Sequence, residues 1–200
     1  APIKETLAAG IVDLARVRSN STVVDPMCGS GTFLIEAAYK ALNIAPGLRR
    51  NFAAQNWSQI SDSIWKDART EALDSIDRQG EFKAYGFDID AMAVDLTQSN
   101  SKKAGVASKL LIKQADISRF KQLDNSTTFC NPPYGERMLE IKDAEKLYKI
   151  LGEKLNPSRE RPCYIIAPHE DFERFFGRKA DKRRKLYNGM IKCQLFMYFK

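Results

Sequence analysis

The segment with the clearest chemical potential is Asn131-Pro132-Pro133-Tyr134, which follows a short apolar run ending at Cys130. An exocyclic amine on a nucleobase, or an amide nitrogen, is a poor nucleophile because its lone pair is delocalised. Two acceptors that take its N–H bonds concentrate charge on the nitrogen as a new bond forms. We predict that the Asn131 side-chain oxygen and the Pro132 carbonyl are these acceptors, since consecutive prolines fix the carbonyl's direction. Tyr134 is predicted to stack on the planar substrate.

A second set of residues, 25–33, forms a glycine loop that is preceded by an acid. Gly29 and Gly31 let the backbone approach a ligand closely, and a helix beginning near Thr32 offers free N–H groups. A phosphate loop would close with Gly-Lys-Ser/Thr, and a dinucleotide loop needs a third glycine; this loop has neither. The carboxylate of Asp25 suits an ammonium group and repels a pyrophosphate. The loop therefore favours S-adenosylmethionine (SAM) over a phosphate-bearing cofactor.

Acids also follow the second and third predicted strands. Asp88 is placed to accept hydrogen bonds from the ribose hydroxyls, and Asp116 from the adenine amino group. Each could instead cap a helix, although Asp90 is also available as a cap for the helix after Asp88. The glycine loop and Asp88 are further apart in sequence than the usual ~20 residues. Residues 48–80 account for the excess as an insertion.

The elements that must position these residues alternate along the chain. Strands are predicted at 23–25, 82–87, 110–112, 127–130 and 163–167, with helices at 3–18, 32–44, 61–78, 91–104 and 143–155. Residues 185–187 and 190–199 are predicted to form a hairpin with a type I′ turn at Asn188-Gly189. Alternating strands and helices indicate an α/β fold, a doubly wound, Rossmann-like and mostly parallel sheet that ends in an antiparallel hairpin. We interpret residues 1–200 as one domain.

Composition excludes several classes of protein. Hydrophobic residues make up 44% and charged residues 28%, which is ordinary for a globular domain. The chain has neither an apolar run long enough to span a membrane nor a secretion signal, so we expect a cytoplasmic protein without membrane partners. The four cysteines are scattered, which predicts reduced thiols and no zinc or other metal site. His169 is predicted to be a loop residue without a catalytic role.

Positive charge is concentrated near the carboxyl terminus. The net charge is +7, and residues 174–185 hold seven basic residues and one acid. A concentrated basic patch is what binding to a phosphate backbone requires. Charge alone is equally compatible with a solvated surface.

The motifs together resemble a known group of enzymes. D-P-M-C-G-S-G-T followed by N-P-P-Y is similar to the class I SAM-dependent amino-methyltransferases. The wider pattern resembles the catalytic domain of guanine-N2 RNA methyltransferases that carry a THUMP domain and act on large-subunit ribosomal RNA. It consists of A-P-I-K-E-T-L-A-A, G-F-D-I-D, N-P-P-Y-G-E-R and F-G-R-K-A-D-K-R-R-K-L-Y-N-G. N-P-P-Y alone is shared with DNA adenine and protein glutamine methyltransferases.

The resemblance implies a seven-stranded sheet, an antiparallel last strand and SAM as cofactor. It implies that residues 5–7 close over the methionine end of SAM, and that a THUMP domain, absent from this chain, lies upstream. The predicted cofactor-binding residues are Thr6, Asp25, Cys28, Gly29, Gly31, Thr32, Phe33, Asp88, Ile89, Asp116 and Asn131. The predicted RNA-binding residues are Arg137, Arg178, Lys179, Lys182, Arg183 and Arg184. For Arg137, a structural ion pair with a neighbouring acid is as good an interpretation as RNA binding.

The preferred hypothesis is methylation of a guanine N2 amine in RNA, with the target base flipped or unpaired. The predicted RNA is 23S ribosomal RNA. The alternatives are adenine N6 of DNA or RNA, a guanine of transfer RNA, or a protein glutamine. A SAM- or RNA-binding regulatory module without activity is the alternative from a different class. The intact N-P-P-Y segment favours an enzyme, and Asp25 disfavours an NAD-dependent oxidoreductase.

Overall fold

The computed structural model describes residues 2–135 and 138–200, so Glu136 and Arg137 lie outside the described residues. The helices are α1 (Glu5–Leu14), α2 (Thr32–Ala41), α3 (Asp62–Asp74), α4 (Ala91–Ala104), α5 (Met138–Lys154) and α6 (Phe172–Phe176). The strands are β1 (Thr22–Asp25), β2 (Lys83–Asp88), β3 (Leu110–Gln114), β4 (Ser126–Cys130), β5 (Cys163–Ala167), β6 (Lys182–Asn188) and β7 (Ile191–Tyr198). Helix α6 was not predicted from the sequence.

All the described strands form one sheet of seven, in the order β3-β2-β1-β4-β5-β7-β6. Strands β1 to β5 are parallel, whereas β7 runs antiparallel to both β5 and β6. The sheet is therefore doubly wound from β1, with a C-terminal hairpin at one edge. This arrangement confirms the predicted fold class.

Each face of the sheet carries its own hydrophobic core, because successive strand residues point to opposite faces. Val23 of β1 faces α1 and α2, where Phe33 stacks on Phe129 with ring centroids 5.3 Å apart. Its neighbour Val24 faces α5 and α6 on the other side. Both residues are fully buried, as expected for a central parallel strand covered by helices on both faces.

Helix ends follow local signals closely in the second βα unit. Asp90 accepts a hydrogen bond from the Met92 N–H (2.9 Å) at the start of α4, and Gly105 ends the helix with φ +76°. Helix α1 is shorter than predicted and ends before Arg16, whose φ is +57°. No helix among the described residues has the length and hydropathy of a membrane span.

The hairpin turn differs from the prediction. Asn188 pairs with Ile191, so the two turn residues are Gly189 and Met190 rather than Asn188 and Gly189. Of these two residues, Gly189 alone has a positive φ (+64°). A type I′ turn needs positive φ at both central positions, so this turn is instead consistent with type II′, which needs glycine at the first. The shift leaves Asn188 inside β6 with its side chain buried.

Residues 48–80, which we predicted to be an insertion, lie outside both cores. None of the residues of α3 is buried. Phe52 stacks on Trp65 with centroids 5.7 Å apart, and the Arg69 guanidinium donates to the carbonyls of Leu48 and Arg50. The segment is held by these contacts and by hydrogen bonds to the rest of the domain, such as those from Asn43 to the Ser75 carbonyl and from Lys109 to the Gly80 carbonyl.

The cysteines match the prediction of reduced thiols, since all four are unpaired and buried. Burial raises the pKa of Cys130 well above its usual value, which keeps that thiol protonated. His169 follows β5, where its ring meets Tyr148 and Phe175 edge-on. These contacts give the histidine a packing role.

Candidate active site

A cleft of about 840 Å³ opens at the carboxyl ends of β1, β2 and β4. Strand β1 lies between β2 and β4, so the cleft sits where the winding of the sheet reverses direction. Ligands of doubly wound sheets bind at this position. The cleft is lined by the glycine loop, by parts of α4 and α5, and by Pro2 and Ile3 before α1.

Close packing against α4 explains the glycine loop. The Gly29 N–H donates to the Asp88 carboxylate (2.9 Å), which fixes the loop to the end of β2. Gly31 has φ +80°, and a Cβ there would lie 2.6 Å from the Thr97 methyl carbon. Any other residue at position 31 would meet both backbone strain and a clash.

Two residues of α4 hold the same loop and were missed by the sequence analysis. The Thr97 hydroxyl donates to the Gly29 carbonyl (2.7 Å), and the Asn100 amide donates to the Ser30 carbonyl (2.9 Å). They lie 68 and 70 residues from their partners, so no local pattern connects them. Their spacing of three residues, which puts both on one face of a helix, is the one signal available.

Asp25 is the most deeply buried acid at the cleft. Its side chain is 2% exposed, and one carboxylate oxygen accepts from the Met27 N–H (3.0 Å). Burial raises the pKa of Asp25 to about 8, the Met27 hydrogen bond opposes this rise, and the nearby charge of Asp88 adds to it. A cation placed beside the carboxylate would stabilise its ionised form.

Asp88 and Asp116 both reach the cleft while accepting local hydrogen bonds. Asp88 accepts from the N–H groups of Gly29 and Asp90, and Asp90 serves as the helix cap, as predicted. Asp116 accepts from the Ser118 N–H (2.7 Å) and so caps a short 3₁₀ turn; hydrogen bonds from Ser118 lower its pKa. Capping and ligand binding are therefore compatible at these positions, because each carboxylate oxygen has more than one lone pair.

The lining of the cleft fits SAM better than a phosphate-bearing cofactor. Four of the described lining residues are aspartates, and none of them is lysine, arginine or histidine. A pyrophosphate would meet no cation here, whereas an ammonium and a sulfonium would meet acids. Ile89 and Ile117 supply apolar surface of the kind that an adenine ring needs.

Most of the predicted cofactor-binding residues lie together at this cleft. The lining includes Asp25, Cys28, Gly29, Thr32, Phe33, Asp88, Ile89, Asp116 and Asn131. Gly31 is not among the lining residues; it lies on the side of the loop that packs against Thr97 of α4. Thr6 does not reach the cleft: it lies exposed in the first turn of α1, because the helix begins at Glu5 and turns that position to solvent. Pro2 and Ile3 line the cleft in its place.

The Asn131–Tyr134 loop carries a correction to the predicted role of Tyr134. Tyr134 is 6% exposed, and its hydroxyl donates to the Asn131 side-chain oxygen (2.7 Å). The hydroxyl also accepts from the Asn188 amide (3.3 Å) and the Cys193 thiol (3.8 Å). A ring packed into the core in this way offers no free face for stacking. Tyr134 therefore orients Asn131 from inside the domain.

The rest of the loop is also held from within. Pro132 is buried, whereas Pro133 is exposed at the cleft and its carbonyl accepts from the buried Tyr148 hydroxyl (3.0 Å). Burial raises the pKa of Tyr134 and of Tyr148, so both phenols stay protonated and continue to donate. The hydrogen bond from Tyr134 thus holds the Asn131 side chain, and the hydrogen bond from Tyr148 holds the loop backbone at Pro133.

The predicted RNA-binding residues lie far from the cleft or outside the described residues. Arg137 lies outside the described residues. Arg178 donates to the carbonyls of Pro157 and Lys200, and Arg183 is paired with Glu173 (3.7 Å). The first residues of β6 pair with the last of β7, at the edge of the sheet opposite the cleft. Lys179, Lys182 and Arg184 are exposed in the same region. The structure therefore separates this basic segment from Asn131.

Fold and site together define a class I methyltransferase domain that uses SAM. The family model for the RMKL-like methyltransferase domain (UPF0020) matches residues 1–196, and the chain belongs to that family.

Three relatives illustrate the membership. The chain is 39% identical over 200 residues to the protein named "Putative RNA methyltransferase YpsC" of Bacillus subtilis (strain 168), covering 100% of this chain and 52% of that protein. It is 34% identical over 208 residues to "Ribosomal RNA large subunit methyltransferase K/L" of Legionella pneumophila (strain Philadelphia 1), covering 98% and 29%. The crystal structure of SMU.472, "a putative methyltransferase complexed with SAH", superimposes with a TM-score of 0.93 at 40% identity, covering 99% and 53%.

The relative solved with S-adenosylhomocysteine (SAH) confirms SAM as the predicted cofactor. The chain spans about half the length of YpsC and less than a third of the K/L protein.

Proposed function

We propose that this domain methylates the exocyclic N2 amine of a guanine in RNA, and that the RNA is 23S ribosomal RNA. The names of YpsC and of the K/L protein, which are similar to this chain over 98% or more of its length, support RNA and ribosomal RNA as substrates. The proposal includes an RNA-binding THUMP domain upstream, as in the family that the motifs resemble. The part of each relative that this chain does not cover leaves room for such a domain.

The observation that carries the proposal is the orientation of Asn131 at the rim of the cofactor cleft. Its side-chain oxygen accepts a hydrogen bond from the Tyr134 hydroxyl (2.7 Å), which sets the direction of the amide at the cleft. An acceptor fixed before the reaction stabilises charge as it develops on the amine nitrogen. The Pro132 carbonyl, held between neighbours that are themselves anchored, is the proposed second acceptor.

The proposed cofactor contacts follow from the chemistry of the cleft. Asp25 would face the ammonium of SAM, Asp88 the ribose hydroxyls and Asp116 the adenine amine. When bound, SAM supplies an electrophilic methyl group and leaves as SAH, while the amine's displaced proton passes to solvent. The apolar surface around Ile89 and Ile117 would exclude water from the adenine ring.

A transfer assay across substrate classes tests the proposal. The protein is incubated with tritiated SAM and unmodified 23S ribosomal RNA, transfer RNA, DNA or a release-factor protein, and labelled nucleosides are identified by mass spectrometry. We expect N2-methylguanosine from ribosomal RNA. Label found only in N6-methyladenine, in transfer RNA or in protein would reject the proposed substrate.

Asn131→Ala separates catalysis from cofactor binding. We expect a transfer rate lower by roughly 10²–10³-fold, the size typical of losing one preorganised polar group, with a much smaller change in SAH affinity by calorimetry, because SAH does not carry the substrate amine. Asn51→Ala, at an exposed position in the insertion, is the matched control. Equal rates for both variants would mean that Asn131 is not an acceptor for the amine.

A further inference from the structure

The tip of the β6–β7 hairpin lies at the same edge of the sheet as the cleft. Strand β7 runs antiparallel to β5, and Gln194 pairs with Ala167, the last residue of β5. The residues of β7 before Gln194 therefore extend past the carboxyl end of β5, and they carry the Gly189-Met190 turn with them. Met190 is 97% exposed at this tip.

One face of the hairpin tip combines an exposed aromatic ring with two lysines. Lys185 and Tyr187 are two residues apart on β6 and share a face, and Tyr187 pairs directly with Lys192 of β7. We call Lys185, Tyr187 and Lys192 the hairpin strip. Tyr187 is 55% exposed, and the Lys185 ammonium lies 5.4 Å from the centroid of its ring.

Within the part of the chain that the structure describes, the lysines of the hairpin strip are not held in ion pairs, unlike two arginines of the basic segment. Arg178 is paired with Asp181 (3.8 Å) and Arg183 with Glu173 (3.7 Å). Among the described residues, neither Lys185 nor Lys192 has an acidic partner within ion-pair distance. The amino end of β6 is also roughly 20 Å from Asn188, given ~3.3 Å per residue of strand.

The hairpin strip is connected through Asn188, the next residue along β6, to the Asn131–Tyr134 loop, which we call the acceptor loop. The Asn188 amide donates to the Tyr134 hydroxyl (3.3 Å), which in turn donates to Asn131 (2.7 Å). Because side chains alternate along a strand, Asn188 points into the core while Tyr187 points to solvent. The strip is thus one residue from the network that orients the proposed acceptor.

We infer that the hairpin strip binds an unpaired nucleotide of the RNA that neighbours the target guanine. The base stacks on Tyr187, and the flanking phosphates lie against Lys185 and Lys192. Single-stranded nucleic acid is bound in this way, by aromatic platforms beside positive charge. The inference rests on the proposed function in taking RNA as the substrate, and it moves the stacking role predicted for Tyr134 to Tyr187.

Binding of a fluorescein-labelled, mixed-sequence single-stranded RNA, followed by anisotropy in the presence of SAH, tests the inference. Tyr187→Ala should lower the affinity roughly 5- to 150-fold, the range for losing one base–aromatic stack, and Tyr187→Trp should restore it. Trp57→Ala, at a ring 59% exposed in the insertion, is the aromatic control and should bind like the wild type. The same RNA as a duplex should bind equally to wild type and Tyr187→Ala.

Salt dependence tests the lysines. Lys185→Ala with Lys192→Ala should reduce the slope of log affinity against log salt by about 0.7 per residue. The control pair Lys102→Ala with Lys103→Ala, at the exposed end of α4, should leave the slope unchanged. The competing explanation is that lysines on an edge strand merely prevent sheet-to-sheet association. Aggregation of the first pair with unchanged RNA affinity would therefore overturn the inference.

The outcomes separate the two proposals. If wild type binds and methylates RNA while Tyr187→Ala binds equally well, the hairpin assignment fails and the proposed function stands. If wild type neither binds nor methylates RNA, both fail.

Discussion

Binding of the cofactor should displace a proton from Asp25. The carboxyl is buried, and burial raises its pKa to about 8, so it is mostly protonated in the free protein at neutral pH. The proposed ammonium of the ligand would sit beside this group and favour its ionised form. Such a neighbour lowers the pKa of an acid by about 1–3.

The size of the effect follows from these values. At pH 7, a group with a pKa of about 8 is about 90% protonated. Lowering that pKa by about 1–3 on binding releases about 0.4–0.9 proton per ligand. At pH 9 the free carboxyl is already mostly ionised, and no more than about 0.1 proton can leave.

Calorimetric titration of SAH in two buffers of different ionisation enthalpy, at the same pH, counts these protons. Asp25→Asn keeps the shape of the side chain and the acceptor for Met27 but has no proton to release. The difference between the two proteins at pH 7 isolates Asp25 from the titration of the ligand's own amine. An identical proton count for wild type and Asp25→Asn would refute a contact between Asp25 and the ammonium.

The same group should make the free protein less stable as pH rises. Unfolded Asp25 ionises near pH 4, whereas the folded group holds its proton until about pH 8. Between these values the native state binds more protons, so the free energy of unfolding falls with pH. Glu36, whose pKa burial raises to about 7, adds a slope of the same sign. Urea unfolding from pH 5 to pH 8 should therefore show a shallower decline for Asp25→Asn than for wild type.

Three further predictions concern packing. Tyr134→Phe should lower the free energy of unfolding by about 1–3 kcal/mol, because it leaves buried donors unpaired. It should also slow methyl transfer without changing SAH affinity. An unchanged transfer rate would contradict the orienting role of Tyr134. Gly31→Ala should lower the free energy of unfolding in urea by at least about 1 kcal/mol and weaken SAH binding. Adding Thr97→Ser removes the clashing methyl and should recover part of the stability and part of the affinity. No recovery would mean that backbone strain alone causes the effect. Arg178→Ala should destabilise by about 1–3 kcal/mol while RNA binding at fixed salt stays unchanged, whereas a binding loss without destabilisation would restore its predicted RNA role.

Local patterns predicted the parts of the site that local chemistry decides. The acid-flanked glycine loop, the acids at strand ends and the alternation of strands and helices are short-range signals, and the structure brings the corresponding residues to one edge of the sheet. The capping role of Asp90 belongs to the same group, because its partner lies two residues away.

The errors arose where a residue's role depends on distant partners. From the sequence, Tyr134 is predicted to be an exposed ring for stacking. In the structure its hydroxyl contacts Asn188 and Cys193, which are 54 and 59 residues away. The contacts of Thr97 and Asn100 with the glycine loop are equally remote. The basic segment could not be placed from charge alone, since the pairing of β6 with β7 decides which lysines lie at the same end of the sheet as the cleft.

The Asn188 side chain has a consequence for the order in which the domain matures. Besides Tyr134, it donates to the Pro2 carbonyl (3.1 Å), a partner 186 residues earlier in the chain. The acceptor loop is therefore completed only when β6 has been synthesised, about 3–11 s after Tyr134 at ribosomal rates of about 5–20 residues per second. Until then a nascent chain holds the glycine loop and β1 to β5 but lacks the amide that fixes Tyr134. Closing so long a loop costs more chain entropy than closing a short one, so we expect this contact to form after the local ones.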